Sequence, residues 1–362
     1  MIRLFLIFLC PLSFSFTEKN FSKEVSKKEH LNLHHVWSVN LDPSRKIRRS
    51  LAHNSSPLLT KNLVIQANGI NGVQAFSKDK AELIWSFAIP NGVFSSLTLN
   101  KNHIYFGASD GFFYSLEART GKLVWKFFTG SENLGPALIH RNKVYWTSLN
   151  QKVYALSLKG DLLWTYAGPF LTRKMVVRSR PRPFIYKGRI YMGFYDGSLV
   201  ALNQNNGSLK WKKQLSSKAI VGNLFIKKSC LFVSTFKTSL SCLNPLNGKR
   251  KWKLKGESFL FPKGRFLYKI SQKNISAVKK TTLKTRWSIP LKAAPALASI
   301  YKNYLIYGSL SDGSIHIVDK ERGQTLSNFK FGKGLASSVT IDNNGDIYFL
   351  SVDARIHKIR IN

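Results

Sequence analysis

Tryptophan recurs along this chain at nearly constant spacing. Trp37, Trp85, Trp125, Trp164, Trp211, Trp252 and Trp287 lie 48, 40, 39, 47, 41 and 35 residues apart. Each sits in a short apolar segment, such as "LIWSFAI", "LVWKF" or "LLWTY". Ser327 stands where the next tryptophan would fall, 40 residues beyond Trp287, and only Trp146 lies outside the series. A period near 40 in a sequence rich in β-branched and aromatic residues is the signature of a radial or linear array of small sheets.

Four strand signals fill each period. In one unit they are residues 95–100, 103–109, 112–117 and 123–127. Asp110-Gly111 joins the second and third, a dipeptide suited to a two-residue hairpin; Asp196-Gly197 and Asp312-Gly313 repeat it, with Asn71-Gly72 equivalent. Gly121 joins the third and fourth, and Gly207 and Gly248 stand likewise four residues before a tryptophan. The inner strands are apolar on successive residues, as in "RIYMGF" and "YLIYGS", so both sheet faces are covered. Blades stacked around an axis do this. The fold expected is all-β: an eight-bladed β-propeller of four-stranded antiparallel blades. Seven units start near Ser55, Ser95, Gly135, Ser179, Ala219, Ser258 and Ala293. The eighth, from Ser337, has three strands, and "VWSVN" around Trp37 supplies its fourth. The ring therefore closes by pairing the N-terminal strand with the C-terminal blade, which removes two exposed sheet edges.

The N-terminus, "MIRLFLIFLCPLSFSF", has a basic start and an apolar run from Leu4 to Leu12, too short for a bilayer span and suited to export. The domain reading is a signal peptide over 1–15, a polar linker over 16–35 and the propeller over 36–362. Cys10 is flanked by Leu9 and Pro11, which disfavours lipidation there. Cys230 and Cys242 fall on neighbouring strands of one hairpin. A turn at Lys237-Thr238 puts Val233 opposite Cys242 and sends Cys230 to the other face, so two free, partly buried thiols are expected; a shifted turn reverses this. His34 and His35 are read as solvated, and His316 as a core or rim residue.

The chain of 362 residues carries 56 Lys+Arg against 18 Asp+Glu, a formal net charge of +38. Such a field attracts polyanions and anionic surfaces. No specific nucleic-acid motif, Ser/His/Asp constellation, zinc spacing or phosphate loop is present, so no catalytic residue, metal or cofactor is expected.

The repeat with an aspartate-glycine hairpin, a leucine and then Thr-Gly-Lys-x-x-Trp, clearest from Leu116 to Trp125 and echoed at Leu202–Trp211 and Leu243–Trp252, resembles that of quinoprotein-type propellers. The resemblance covers residues 36 to 362, and it implies that the tryptophans dock blade to blade. Within that group the chain is most similar to the BamB-like proteins of the outer-membrane β-barrel assembly machine. That implies a monomeric, non-catalytic scaffold at the periplasmic face of the outer membrane, whose protein partner is the barrel-forming subunit. The family's contact loop corresponds to residues 170–183, "FLTRKMVVRSRPRP", where Met175, Val177 and Arg178 match its apolar-x-apolar-Arg pattern. Arg173, Lys174, Arg180 and Arg182 flank them. The following inter-blade loop, "KKQLSSKAIVG", lacks the acidic residues of the family. A second basic loop carries Arg45, Lys46, Arg48 and Arg49, and residues 247–256 form a basic outer edge. Two alternatives stay open: a propeller that binds polyanions or an anionic membrane surface, and a dehydrogenase dependent on pyrroloquinoline quinone and calcium.

Overall fold

The computed structural model describes the chain apart from residues 1–30, 43–54, 170–181, 228, 237–238, 256–258, 272, 280–281, 283, 293–294, 296–297 and 362. The described residues form eight four-stranded antiparallel sheets, seven of them running in simple sequence order. Their strands span 58–87, 98–128, 138–167, 184–214, 220–255, 259–290 and 299–330, here blades 1 to 7. In blade 8 the strands Thr340–Ile341, Ile347–Leu350 and Arg355–Ile361 are completed by Leu33–Asn40 from the N-terminal side. The expected eight blades and the expected clasp are both present. The clasp strand begins at Leu33, three residues before the boundary read from the sequence.

Inner strands are buried on nearly every residue, as in Leu63–Asn68 and Arg189–Gly193. The core is accordingly divided into clusters that bridge neighbouring blades. Blade 1 meets blade 2 through Ile65, Val73, Ile104 and Phe106. Blade 7 meets blade 8 through Ile306, Ile317 and Phe349, and blade 8 meets blade 1 through Tyr348, Ile356, Val64 and Phe76. Burial thus runs around the ring, and no blade has a complete core of its own.

The tryptophans explain the glycine four residues before them. Trp85 Nε1–H donates to Ala118 O in the outer turn of blade 2, at 3.2 Å. Trp125 does the same to Leu158 O, Trp164 to Gln204 O, Trp211 to Pro245 O and Trp287 to Lys320 O. The glycine of that receiving turn lies flat on the indole: a Cβ on Gly121 would come 2.5 Å from Trp85 Cε3, and its φ is +72°. Gly160, Gly207, Gly248 and Gly323 meet Trp125, Trp164, Trp211 and Trp287 in the same way. The glycine therefore serves the tryptophan of the preceding blade, not its own. Ser327 also finds its reason. Its docking partner would be the outer turn of blade 8, but the two outer strands of that blade come from opposite ends of the described chain and share no turn. At the clasp, Trp37 Nε1–H donates to Lys78 O at 3.0 Å, with Ala81 at φ 60° in the glycine's place.

Polar groups fix the clasp as well. Trp37 lies opposite Lys358 in the strand register. Lys358 Nζ is 2.9 Å from Asp346, whose carboxylate also accepts from Arg360 Nε and an Arg360 terminal nitrogen at 2.8 and 3.0 Å. Those bonds hold the Asp346 carboxyl below the usual carboxylate range. Lys78 of blade 1 reaches Asp342 of blade 8 at 3.0 Å. Removing one partner of a buried pair costs several kcal/mol, so the Lys78–Asp342 pair favours blade 1 meeting blade 8 in this closure. His357, in the same strand, is buried, stacked on Phe349 and within 3.0 Å of Ser351 Oγ. His35 is exposed, and its Nε2 stands 3.4 Å from His357 Nδ1. Half-buried His316 stacks on Tyr307 and reaches Ser314, the rim role expected of it.

The cysteine expectation is corrected. Cys230 and Cys242 form a disulfide, with Cα atoms 5.4 Å apart. Thr235 pairs with Ser239, so three residues lie between the strands rather than two, and Cys242 stands opposite Phe232 instead of Val233. That one-residue change brings Cys230 to the same face, two positions along.

Two predictions follow from the ring. Trp85→Ala should cost about 3–5 kcal/mol in urea unfolding, and Gly121→Ala at least about 1–2 kcal/mol from its positive φ alone. The double variant should be less destabilised than the sum, because the added Cβ then meets no indole; additivity within about 0.5 kcal/mol would show that the two do not touch. Burial pushes the His357 imidazole down to about 4, with the neighbouring His35 adding to the effect. The unfolded chain then binds more protons than the fold between pH ~6.5 and ~4, so stability falls as pH drops through that window, by about 3 kcal/mol in all. His357→Phe should flatten this part of a Tm-against-pH curve, and an unchanged slope would assign it to other groups.

Candidate interaction surface at the loop end

The two ends of the ring differ in what they display. At one end, inter-blade loops lie against the hairpins between second and third strands: Thr129 N–H donates to Gly111 O, Leu215 N–H to Gly197 O and Phe331 N–H to Gly313 O. At the other, the tight first-to-second and third-to-fourth turns meet, as in Ala118 N–H to Asn102 O and Leu158 N–H to Asn142 O. The loop end holds the long connections, and binding residues concentrate on such loops over a rigid frame.

One of the two long connections there, both with described ends, leaves blade 3 at Gly168 and enters blade 4 at Arg182. Met175, Val177, Arg178, Arg173, Lys174 and Arg180 lie outside the described residues, as do Arg45, Lys46, Arg48 and Arg49 of the other basic loop. The two ends of the connection are firmly set. Gly168 N–H donates to Gln151 O at 3.0 Å. Any side chain at Gly168 is barred, since a Cβ would stand 2.4 Å from both Gln151 O and the Phe194 ring. Arg182 Nε donates to Ala137 O of blade 3 at 3.0 Å, although the residue as a whole is exposed. Of the predicted contact residues, Arg182 is thus the one seen spanning two blades.

At the loop end, the hairpins of blades 3, 4 and 5 share an apolar floor that sequence reasoning missed. Tyr195, Ala219 and Val221 are buried there, with Leu149 and Phe236 packed against them, so the hairpins of blades 3, 4 and 5 are joined. Gln151 Oε1 accepts from Tyr195 N–H at 3.3 Å, while its buried Nε2 has no hydrogen-bond partner among the described residues. The signal was present as bulky residues within the hairpins, "SLNQK", "FYDGS" and "TFKTS".

A cavity of about 460 Å³ opens between the innermost strands of blades 7 and 8. Ser56, Ser299, Ser338 and Thr340 line it beside Ala298, Ile300, Val339 and Ile341. Calcium asks for six to eight oxygens with several carboxylates, and this lining offers no carboxylate. Nor do three His, Cys, Asp or Glu side chains gather anywhere among the described residues. The donors present do not fit a quinone–calcium pair. The basic segment 249–253 lies where expected, exposed on the outer strand of blade 5.

Eight interlocked four-stranded blades with a tryptophan–glycine docking repeat and a structured loop end define a quinoprotein-like propeller. The profile of the family described as "Outer membrane protein assembly factor BamB" matches residues 34–138 and 112–289. The chain belongs to that family. It is 26% identical over 176 residues to outer membrane protein assembly factor BamB of Moranella endobia, covering 45% of each chain. The chain thus spans about half the length of the curated relatives it matches. Among solved structures, BamB from Moraxella catarrhalis superposes with a TM-score of 0.73 at 20% identity, over 91% of this chain and 98% of that one. A quinohemoprotein alcohol dehydrogenase from Pseudomonas putida superposes at 0.68 and 12% identity, over 91% of this chain and 76% of that one. Both structural likenesses concern the fold.

Proposed function

We propose that this chain is an exported, non-catalytic scaffold in outer-membrane protein assembly, acting as a monomer at the periplasmic face of that membrane. Its family membership carries this reading, because the family profile covers most of the ring. The closed ring adds to it: blade 8 is completed from within the chain, so no blade requires a second copy.

The contact is made at the loop end between blades 3 and 4. Arg173, Lys174, Met175, Val177, Arg178, Arg180 and Arg182 present one apolar pair among cations to an acidic groove on the barrel-forming subunit. Arginine forks suit carboxylates, and an apolar anchor surrounded by charge is the usual form of a small energetic centre. Gly168 and Arg182 hold the two ends of the loop, which limits the ordering cost on binding. The dehydrogenase alternative loses ground at the cavity, whose lining supplies no acid–base group.

Crosslinking in the native envelope tests this directly. The parent chain should capture a barrel-forming assembly subunit, and Val177→Asp with Arg178→Glu should lose at least about tenfold of that yield (~1.4 kcal/mol) with an unchanged Tm. Equal capture by the double variant would remove the site. Capture of no assembly subunit by the parent would remove the function.

A further inference from the structure

The outer strands are not alike around the ring. Each bulges just before its tryptophan: in blade 1 Ala75 pairs with Trp85 and Phe76 with Leu83, leaving Ile84 unpaired. Blades 2 and 3 repeat this at Val124 and Leu163. The two residues before the tryptophan consequently face solvent. In blades 1–3 they are Leu83, Ile84, Leu123, Val124, Leu162 and Leu163, all 40–54% exposed. In blade 5 the same positions hold Arg250 and Lys251, and in blade 6 Thr285 and Arg286. Charge on an edge strand guards it against unwanted pairing. Blades 5 and 6 follow that rule and blades 1–3 break it.

The apolar pairs lie at the turn end, next to the turns that receive the docked indoles. Exposed cations surround them there: Lys80, Lys101, Arg119, Lys122, Arg141 and Lys159. They outnumber the acids of the same turns, Asp79, Glu82, Glu117 and Asp161. A row of apolar pairs flanked by cations matches an anionic bilayer, where apolar side chains enter the interface and cations meet headgroup phosphates. The pairs recur at one height on three blades rather than converging on a pocket. A fluid planar surface accepts such an arc without shape complementarity, whereas a protein partner needs it. Leu33, opposite Ile361, starts the clasp strand at this same end.

We infer that the turn-end rim of blades 1–3 is a membrane-docking surface that seats the propeller on an anionic lipid bilayer, leaving the loop end directed away from it. This goes beyond the scaffold reading and does not depend on it. The test is sedimentation of the full-length chain with vesicles of phosphatidylcholine and phosphatidylglycerol, beside vesicles of phosphatidylcholine alone. Binding should require the anionic lipid, weaken as salt is raised, and drop by about tenfold or more in Leu83→Asp/Leu123→Asp/Leu162→Asp. The loop-end variant Val177→Asp/Arg178→Glu should bind vesicles like the parent, which separates this surface from the proposed protein contact. Should the triple variant fail to fold, an environment-sensitive fluorophore on Val124→Cys decides the matter. It should shift to the blue on anionic vesicles, and one on Lys251→Cys should not. The inference is overturned by absent binding to anionic vesicles or by a fluorophore at 124 that stays in water. It is equally overturned if the folded triple variant keeps full vesicle binding, including the case where it loses an assembly protein instead.

Discussion

An indole N–H that reaches across the gap to the next blade's outer turn is the contact on which the ring depends. Each such bond joins two sheets that are only four strands wide. Neither sheet could bury both of its faces alone, so stability belongs to the interfaces. The glycine that receives the indole has two tasks: it supplies a positive φ to the turn and leaves room for a flat ring. Gly121 over Trp85 shows both. A tryptophan in one blade and the glycine it meets in the next blade's outer turn therefore form one structural unit, and the visible period in the sequence is the shadow of that unit.

Closure is the place where this scheme has to change. Blade 8 takes its fourth strand from Leu33–Asn40, so its outer edge has no turn to receive an indole from blade 7, and Ser327 stands there. The next interface adds charge: Asp342 of blade 8 binds Lys78 of blade 1, while Asp346 binds Lys358 and Arg360 within blade 8. Two of the 18 acids of a very basic chain thus lie in the closing blade, one of them at its seam with blade 1. The loop end carries a fixed apolar floor, and the turn end an apolar rim among cations.

The blade count was legible because the unit repeats, and repetition averages out local ambiguity; the clasp was legible because the last unit lacks a fourth strand that the N-terminal segment matches, and the docking role of the tryptophans came with the resemblance. Single events were harder to read. The Cys230–Cys242 bridge turned on one extra residue in a hairpin, a difference that propensity does not resolve but that flips a side chain to the other face. The direction of the glycine contact, to the preceding blade's tryptophan, needed the three-dimensional neighbour. The floor of Leu149, Tyr195 and Phe236 was hidden because its parts come from three blades. The contrast between Leu123-Val124 and Arg250-Lys251 was written in the sequence, yet it gained meaning only when the bulge showed that both positions face solvent.

Native-state hydrogen exchange on the clasp tests the central claim, that one closed and mutually supported ring underlies both surfaces. Amides of Leu33–Asn40 that donate to the Arg355–Ile361 strand should open only with the blades beside them, showing protection like that of the other outer strands. Exchange of those amides at the rate of an unstructured chain, while the other outer strands stay protected, would contradict closure of the ring.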